Sequence, residues 1–311
     1  MVSYSASFLK ISGLRLSRLA VGCSHFGTDV DRQEVRRIVS AALDTGVTLF
    51  DTADIYSKGE SELALGQALS GRRHAAVIAT KFGHDAVAQG ASQGAIYLAL
   101  DNSLRRIKTD YIDLYQLHAP DSATPVEETL STLQELVKAG KILSYGICNV
   151  KLPELANFCR IARAQEGSAL TTVQNPFNLL NYEHYETLRS SLKEFHVGLL
   201  ASLPLARGLL GGRYRSVANV PAGHPLAGYK GLGYRNARTI ALITRLLLAA
   251  EQLNRSPAQL ALETILASDD TVSALVGVRS TSQLLSLVNI NPTAMRQETT
   301  NYILGQRSSL Y

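Results

Sequence analysis

Cysteine is scarce: Cys23, Cys148 and Cys159 are the only three in 311 residues. They form neither a CxxC pair nor an even set, which excludes a disulfide framework and points to a reducing compartment. Long apolar runs are missing as well. No stretch approaches the ~20 uninterrupted apolar residues of a membrane span. Residues 242–253 come nearest and carry Arg245 and Glu251. The first 20 residues lack the apolar centre of a secretory signal, so a cytoplasmic location without membrane partners is expected. Basic residues outnumber acidic ones by only 31 to 26 and never form a run, which argues against nucleic acid as a partner. GxxxxGK[ST] and GxSxG are absent, and GxGxxG follows no predicted strand. P-loop, nucleophile-elbow and Rossmann chemistries are thereby disfavoured. Neither HExxH nor paired Cys/His occurs, so no metal site is expected.

What is present is an alternation. Short apolar runs rich in β-branched residues occupy 19–23, 47–50, 76–80, 111–117, 142–147, 170–173, 197–201 and 272–276. Their length and polar or glycine flanks predict strands buried on both faces. Between them the spacing becomes helical. Val35, Ile38, Val39, Ala42 and Leu43 fall at i, i+3, i+4, i+7 and i+8, with Gly46 as a stop. Val126, Leu130, Leu133 and Val137 repeat the pattern before Gly140, and Leu155, Phe158, Cys159 and Ala162 repeat it behind Pro153. Eight strands, each followed by a helix, predict an α/β chain folded as one (β/α)8 TIM barrel domain over 1–311. A doubly wound open sheet competes, but usually has fewer strands and a glycine-rich first turn. Residues 8–11 and 14–16 flank Ser12-Gly13 and predict a hairpin capping the N-terminal end of the barrel. The long segment 206–236, after the seventh strand, has no periodicity; loops of that length in a compact domain are usually functional or mobile.

The active site of such a barrel lies at the C-terminal strand ends. There the second strand ends in Asp51, the third in Lys81 and the fourth in His118. The fifth yields Cys148-Asn149, the sixth Gln174-Asn175, and Tyr56 follows Asp51 on the same rim. Any one of these is ordinary polarity at a wet rim. Asp, Lys, His and Tyr on three consecutive strands have a joint chemical sense. A phenol near pKa 10 is a poor acid at neutral pH, and a nearby ammonium favours phenolate. Tyr56 is therefore expected as proton donor, Lys81 as its tuner, Asp51 as the orienter of the ammonium and His118 as polariser of a carbonyl oxygen.

Phe50-Asp51-Thr52-Ala53-Asp54-Ile55-Tyr56, Gly59-Glu60-Ser61-Glu62, Ala79-Thr80-Lys81 and Asp110-Tyr111-Ile112-Asp113-Leu114-Tyr115-Gln116-Leu117-His118 resemble the aldo-keto reductase superfamily over nearly the whole chain. The resemblance implies a barrel enzyme using NADPH, less often NADH, with a tetrad falling on Asp51, Tyr56, Lys81 and His118. It further implies that Cys148, Asn149 and Gln174 hold the nicotinamide carboxamide, Cys148 standing where the family has serine. The ring-stacking aromatic of many members falls on Ser202, followed by Leu203. Leu205, Gly208 and Leu210 belong to a cofactor-covering loop. Gly277, Arg279 and Gln283 match a pattern for the adenosine phosphate, whereas the family's adenine-facing Glu and Asn are here Ser286 and Leu287.

Ser24, His25 and Phe26, after the first strand, are expected at the mouth as substrate-facing residues. His74, His84, His184, His196 and His224 are read as surface or structural, and Tyr214, Tyr229 and Tyr234 as loop residues that cover substrate or pack the loop. The leading expectation is an NADPH-dependent reductase of a small-molecule aldehyde, ketone or sugar. Two alternatives stand beside it: an NAD-dependent aldose or sugar dehydrogenase, and a cofactor-binding regulatory subunit with little turnover. No pattern in the sequence speaks to oligomeric state.

Overall fold

The computed structural model describes residues 8–11, 13–165, 170–214, 236–268, 270–306 and 310. Tyr229, Tyr234, His224 and most of the long segment lie outside them. Eight parallel strands close into a barrel: β3 (Leu19–Gly22), β4 (Leu49–Asp51), β5 (Val77–Phe82), β6 (Ile112–Leu117), β7 (Ile142–Cys148), β8 (Thr172–Pro176), β9 (Gly198–Ser202) and β10 (Thr271–Gly277). All eight predicted runs are strands, with ends shifted by up to three residues. β10 pairs with β3 to complete the ring, Ala274 opposite Leu19 and Gly277 opposite Gly22.

Helices α1 (Arg32–Asp44), α2 (Glu60–Ala68), α3 (Gln93–Ile107), α4 (Val126–Lys138), α5 (Leu152–Ala164), α6 (Tyr182–Phe195), α7 (Ala237–Gln252), α8 (Pro257–Leu266), α9 (Thr281–Leu287) and α10 (Gln297–Leu304) surround it. α1 shows why these segments coil. Asp31 accepts the free N–H groups of Gln33 and Glu34 at 2.8 and 2.9 Å, and the predicted stripe Val35, Ile38, Val39 and Ala42 is buried. The chain leaves the helix through Gly46 at φ +80°. α8 starts with Ser256 accepting from Gln259 N–H at 3.1 Å, its proline harmless in the first turn. These helix faces join outward-facing strand residues such as Phe50, Ile78 and Tyr115 in one continuous core.

The hairpin is present as antiparallel β1 (Phe8–Ile11) and β2 (Leu14–Ser17). Leu14 and Leu16 cluster with the inward residues Ala20, Leu49, Ala79, Leu114 and Leu200, so the hairpin closes the base of the barrel. Each leucine contributes up to about 1.5–3 kcal/mol by leaving water. Ser17 locks the join by accepting from Thr48 N–H at 3.1 Å and Leu49 N–H at 3.2 Å. Because strand side chains alternate, the row that is apolar at the base is polar at the mouth. Leu49 leads to Asp51, Ala79 to Lys81, and Leu114 through Gln116 to His118. Gly146 keeps this interior open: a Cβ there would lie 2.4 Å from Thr172 Oγ1 and 3.3 Å from Gln116 Cγ.

The segment predicted to be aperiodic begins with a 3₁₀ turn over Ala206–Gly211. Tyr214 packs against the core from the far side of that turn.

Candidate active site

Lys81 rises from the end of β5 and is wholly buried. Its Nζ donates to Asp51 Oδ2 at 2.7 Å, to Thr52 O at 2.8 Å and to Tyr56 Oη at 3.3 Å. Burial opposes the ammonium, but Asp51 and then Tyr56 hold its pKa well above that of an ordinary lysine. Tyr56 stands on a tight 3₁₀ turn, Tyr56–Gly59, where Ser57, Lys58 and Gly59 all have positive φ. That turn reverses the chain into α2 and leaves the ring across the mouth. The expectation that Lys81 lowers the phenol pKa is corrected in its net result. Burial pushes Tyr56 up, and the ammonium draws it back only in part. The phenol is thus held firmly protonated in the state described.

His118 lies beside it, ring centroids 6.0 Å apart and planes at 79°. Burial, then Lys81, then His84 lower its pKa from 6.5 to about 3, so the imidazole is neutral at physiological pH. His118 Nδ1 is buried with no hydrogen-bond partner among the described residues. Its backbone is fixed from two sides: N–H donates to Phe82 O at 2.9 Å, and its carbonyl accepts from Asn149 Nδ2 at 2.8 Å. The edge contact with His84, at 4.9 Å, is one the sequence reading missed by treating His84 as surface or structural. The available signal was its place three residues after Lys81, beyond the same strand end.

Gln116 was also missed. Its Nε2 lies 3.4 Å from Asp51 Oδ1, and Gln174 Nε2 donates to the same oxygen at 2.8 Å. Two carboxamides therefore brace one carboxylate oxygen while Lys81 takes the other. Gln174, expected only at a cofactor amide, commits one N–H to Asp51. Gln116 was legible in principle, since it precedes His118 by two residues and shares its face.

Under the Tyr56 turn, Asp54 is almost fully buried. One oxygen accepts Ile55 N–H at 2.7 Å, and Oδ2 has no partner among the described residues. Burial first, against the Ile55 hydrogen bond and with Glu62 and Asp85 adding repulsion, raises its pKa from 3.8 to about 7. Glu62 itself is held by Arg106 and Thr80, each at 2.6 Å.

The other expected positions divide. Cys148 is buried, and burial raises its thiol pKa, keeping it protonated. Asn149 follows at φ +57°, a conformation asparagine tolerates. Ser202 and Leu203 are partly exposed at the end of β9, their carbonyls accepting from Phe177 N–H at 3.0 Å and Asn178 Nδ2 at 3.1 Å. Gly208 is exposed at φ +93°, whereas Leu205 is half-buried and Leu210 belongs to the core. Leu210 thus supports the loop from beneath. Ser24 is exposed and His25 half-buried, but Phe26 is fully buried in the core. Its expected place facing the mouth is corrected: Phe26 N–H bonds to Cys23 O at 2.9 Å, and that turn swings the ring inward.

At the β10 end, Gly277 is exposed and Arg279 N–H donates to Gln283 Oε1 at 2.7 Å. The Arg279 guanidinium is exposed, and the hydroxyls of Ser280 and Ser282 in the turn that follows are 2.9 Å apart. This is a donor set that could hold a phosphate. At the mouth, the His118 ring and the amides of Asn149 and Gln174 could meet a carbonyl or carboxamide. The residues present therefore fit a nicotinamide dinucleotide spanning from β7–β8 to β10. Among the described residues, no three His, Cys, Asp or Glu side chains cluster as metal ligands.

Comparison with known proteins agrees with this architecture. The model of the Aldo/keto reductase family matches residues 18–304. The chain is 36% identical over 211 residues to the aldo-keto reductase YhdN of Bacillus subtilis, covering 66% of this chain and 62% of that one. It is 32% identical over 294 residues to an L-glyceraldehyde 3-phosphate reductase of Escherichia coli, with 88% and 83% covered. Among solved structures, the holo form of aldo-keto reductase AKR11C1 from Bacillus halodurans superposes with a TM-score of 0.80 at 28% identity, over 99% of this chain and 98% of that one. Glycerol dehydrogenase AKR11B4 from Gluconobacter oxydans gives 0.83 at 27% identity, over 99% and 97%. With its barrel closed, its Asp51, Tyr56, Lys81 and His118 side chains gathered at one mouth and its sequence matched over residues 18–304, this chain belongs to the aldo-keto reductase family of NAD(P)H-dependent oxidoreductases.

Proposed function

We propose that the protein is an NADPH-dependent carbonyl reductase that converts a small aldehyde, ketone or sugar to its alcohol, with Tyr56 as proton donor. The observation that carries this reading is the Tyr56–Lys81–Asp51 chain facing a neutral His118. A nicotinamide cofactor, when bound, would supply the hydride for the carbonyl carbon. Tyr56 Oη delivers the proton to the carbonyl oxygen, and the phenolate left behind is stabilised by the Lys81 ammonium 3.3 Å away. Asp51 keeps that ammonium charged and aimed. His118, held neutral, steadies the oxygen with a ring N–H hydrogen bond rather than a second proton. Asn149, Gln174 and Cys148 would orient the carboxamide of the nicotinamide, and Arg279 would take the 2′-phosphate.

The reverse reaction, oxidation of a sugar or polyol with NAD+, uses the same groups in the opposite order. Ser202 in place of a stacking aromatic, and Ser286 and Leu287 in place of adenine partners, support it as a second reading. An intact tetrad supports turnover over a purely regulatory role. Loss of reduced-nicotinamide absorbance across a panel of aldehydes, ketosugars and quinones tests the proposal. No turnover of any of them by a protein that still binds nucleotide would overturn it.

A further inference from the structure

Arg279, the cation expected to meet the 2′-phosphate, already has an anionic neighbour. Asp29 Oδ2, on the loop between β3 and α1, lies 3.3 Å from Arg279 Nη2 and accepts from His25 Nδ1 at 2.9 Å. Residues 250 positions apart are thus brought together where β10 returns to pair with β3. The rest of this corner is committed as well. Thr281 N–H and Oγ1 both donate to Glu34 Oε1, at 2.7 and 2.9 Å, and Arg279 N–H is taken by Gln283. Among the described residues of this corner the guanidinium is therefore the cation left for a phosphate, and a carboxylate shares it.

We propose that Asp29 sets the discrimination between NADPH and NADH, by competing with the 2′-phosphate for Arg279 and so weakening NADPH selectively. The inference rests on the nucleotide orientation given under Proposed function. A phosphate monoester carries nearly two negative charges at neutral pH. To engage Arg279 it must displace Asp29 or sit beside it, and both arrangements are unfavourable. The unphosphorylated ribose of NADH meets no such repulsion, and a carboxylate is a good acceptor for a ribose 2′-hydroxyl. His25 makes the arrangement more than an incidental surface pair. Its ring nitrogen holds the carboxylate that also faces the guanidinium, so His25, Asp29 and Arg279 form one linked, exposed cluster.

Calorimetric titration of the whole protein with NADPH, NADH and 2′,5′-ADP tests this without reference to turnover. In Asp29→Asn the ratio of NADPH to NADH affinity should rise roughly three- to tenfold at low salt, and 2′,5′-ADP should tighten in parallel. The rise should shrink in high salt, because the corner is exposed and screened. In an Arg279→Ala background the Asp29→Asn effect should shrink to the direct repulsion between carboxylate and phosphate, and the difference measures the competition for Arg279. An unchanged or falling ratio in a folded Asp29→Asn variant overturns the proposal while leaving the nucleotide site intact. Failure of wild-type protein to bind either dinucleotide would instead overturn the cofactor reading, and this inference with it.

Discussion

Lys81 and Asp51 are joined by an ion pair, Nζ to Oδ2 at 2.7 Å, in which the lysine has no exposed surface. Two charges this deep are costly to desolvate, and the cost is tolerable only because every direction is filled. Thr52 O and Tyr56 Oη take the remaining reach of the ammonium, and two glutamines take the other carboxylate oxygen. Lys81→Met is therefore expected to destabilise the fold by about 3–5 kcal/mol, because it strands a buried carboxylate. Adding Asp51→Leu should restore much of that loss without restoring turnover. Urea denaturation of the single and double variants, followed by circular dichroism, separates the structural cost from the chemical one.

Tyr56→Phe removes the donated proton and little else, since the ring keeps its place over the ammonium, 4.9 Å from Nζ. The expected loss in carbonyl reduction is about 10²–10⁴-fold, with nucleotide affinity nearly unchanged. Steady-state kinetics beside nucleotide titration will read both. Undiminished turnover would mean that the proton comes from elsewhere.

His118 is neutral because burial, Lys81 and His84 depress its pKa to about 3. The unfolded chain protonates this ring near 6.5, and the folded one does not. Its contribution to stability is therefore fully present above about 6.5 and is lost as pH falls toward 3. The histidine ring resonances of His118 should stay flat between about pH 5 and 8 in an NMR titration. In His118→Asn the acid limb of the stability curve should flatten. A ring that titrates near 6 would contradict the neutral-imidazole role.

Asp54 has the opposite sign. Its pKa rises from 3.8 to about 7, so its stabilising state is the protonated one, complete below 3.8 and lost as pH rises through 7. Asp54→Asn should leave stability near pH 4 almost unchanged and raise it at pH 8 by about 1–3 kcal/mol. Thermal unfolding at the two pH values reads the difference directly.

Gly146→Ala places a methyl 2.4 Å from Thr172 Oγ1 and 2.9 Å from Thr172 O, atoms that cannot yield freely within a closed barrel. A loss of about 1–3 kcal/mol is expected. Because Gln116 is the next neighbour, turnover should fall further than stability alone explains, which parallel melting and kinetic measurements will show.

Much of this was legible in the sequence, and the reason is geometric. Strands buried on both faces announce themselves as apolar runs, and a period of two leads from Leu49 to Asp51 and from Ala79 to Lys81 without reference to any other strand. The tetrad is local information repeated at several strand ends. Gln116 and Gln174 on Asp51, or Asp29 beside Arg279, are pairings across the ring between residues 65, 123 and 250 positions apart, and no periodicity encodes them. Phe26 illustrates a different limit. It sits in a turn, where neither the helical nor the strand period says which way a side chain faces, and its hydrophobicity decided the matter against the mouth. The ammonium does lower the phenol pKa as expected, but the net rise is not legible for a third reason: a sequence shows the ammonium nearby but not how deeply the ring is buried.

The hairpin that stoppers the base of the barrel also governs traffic. With Leu14 and Leu16 wedged below Leu49 and Ala79, the base of the barrel beneath the lysine and phenol is closed by apolar packing among the described residues. On the proposed reading, a proton replacing the one given up by Tyr56 would enter from the side on which the alcohol leaves, so that recharging of the donor would wait on departure of the product.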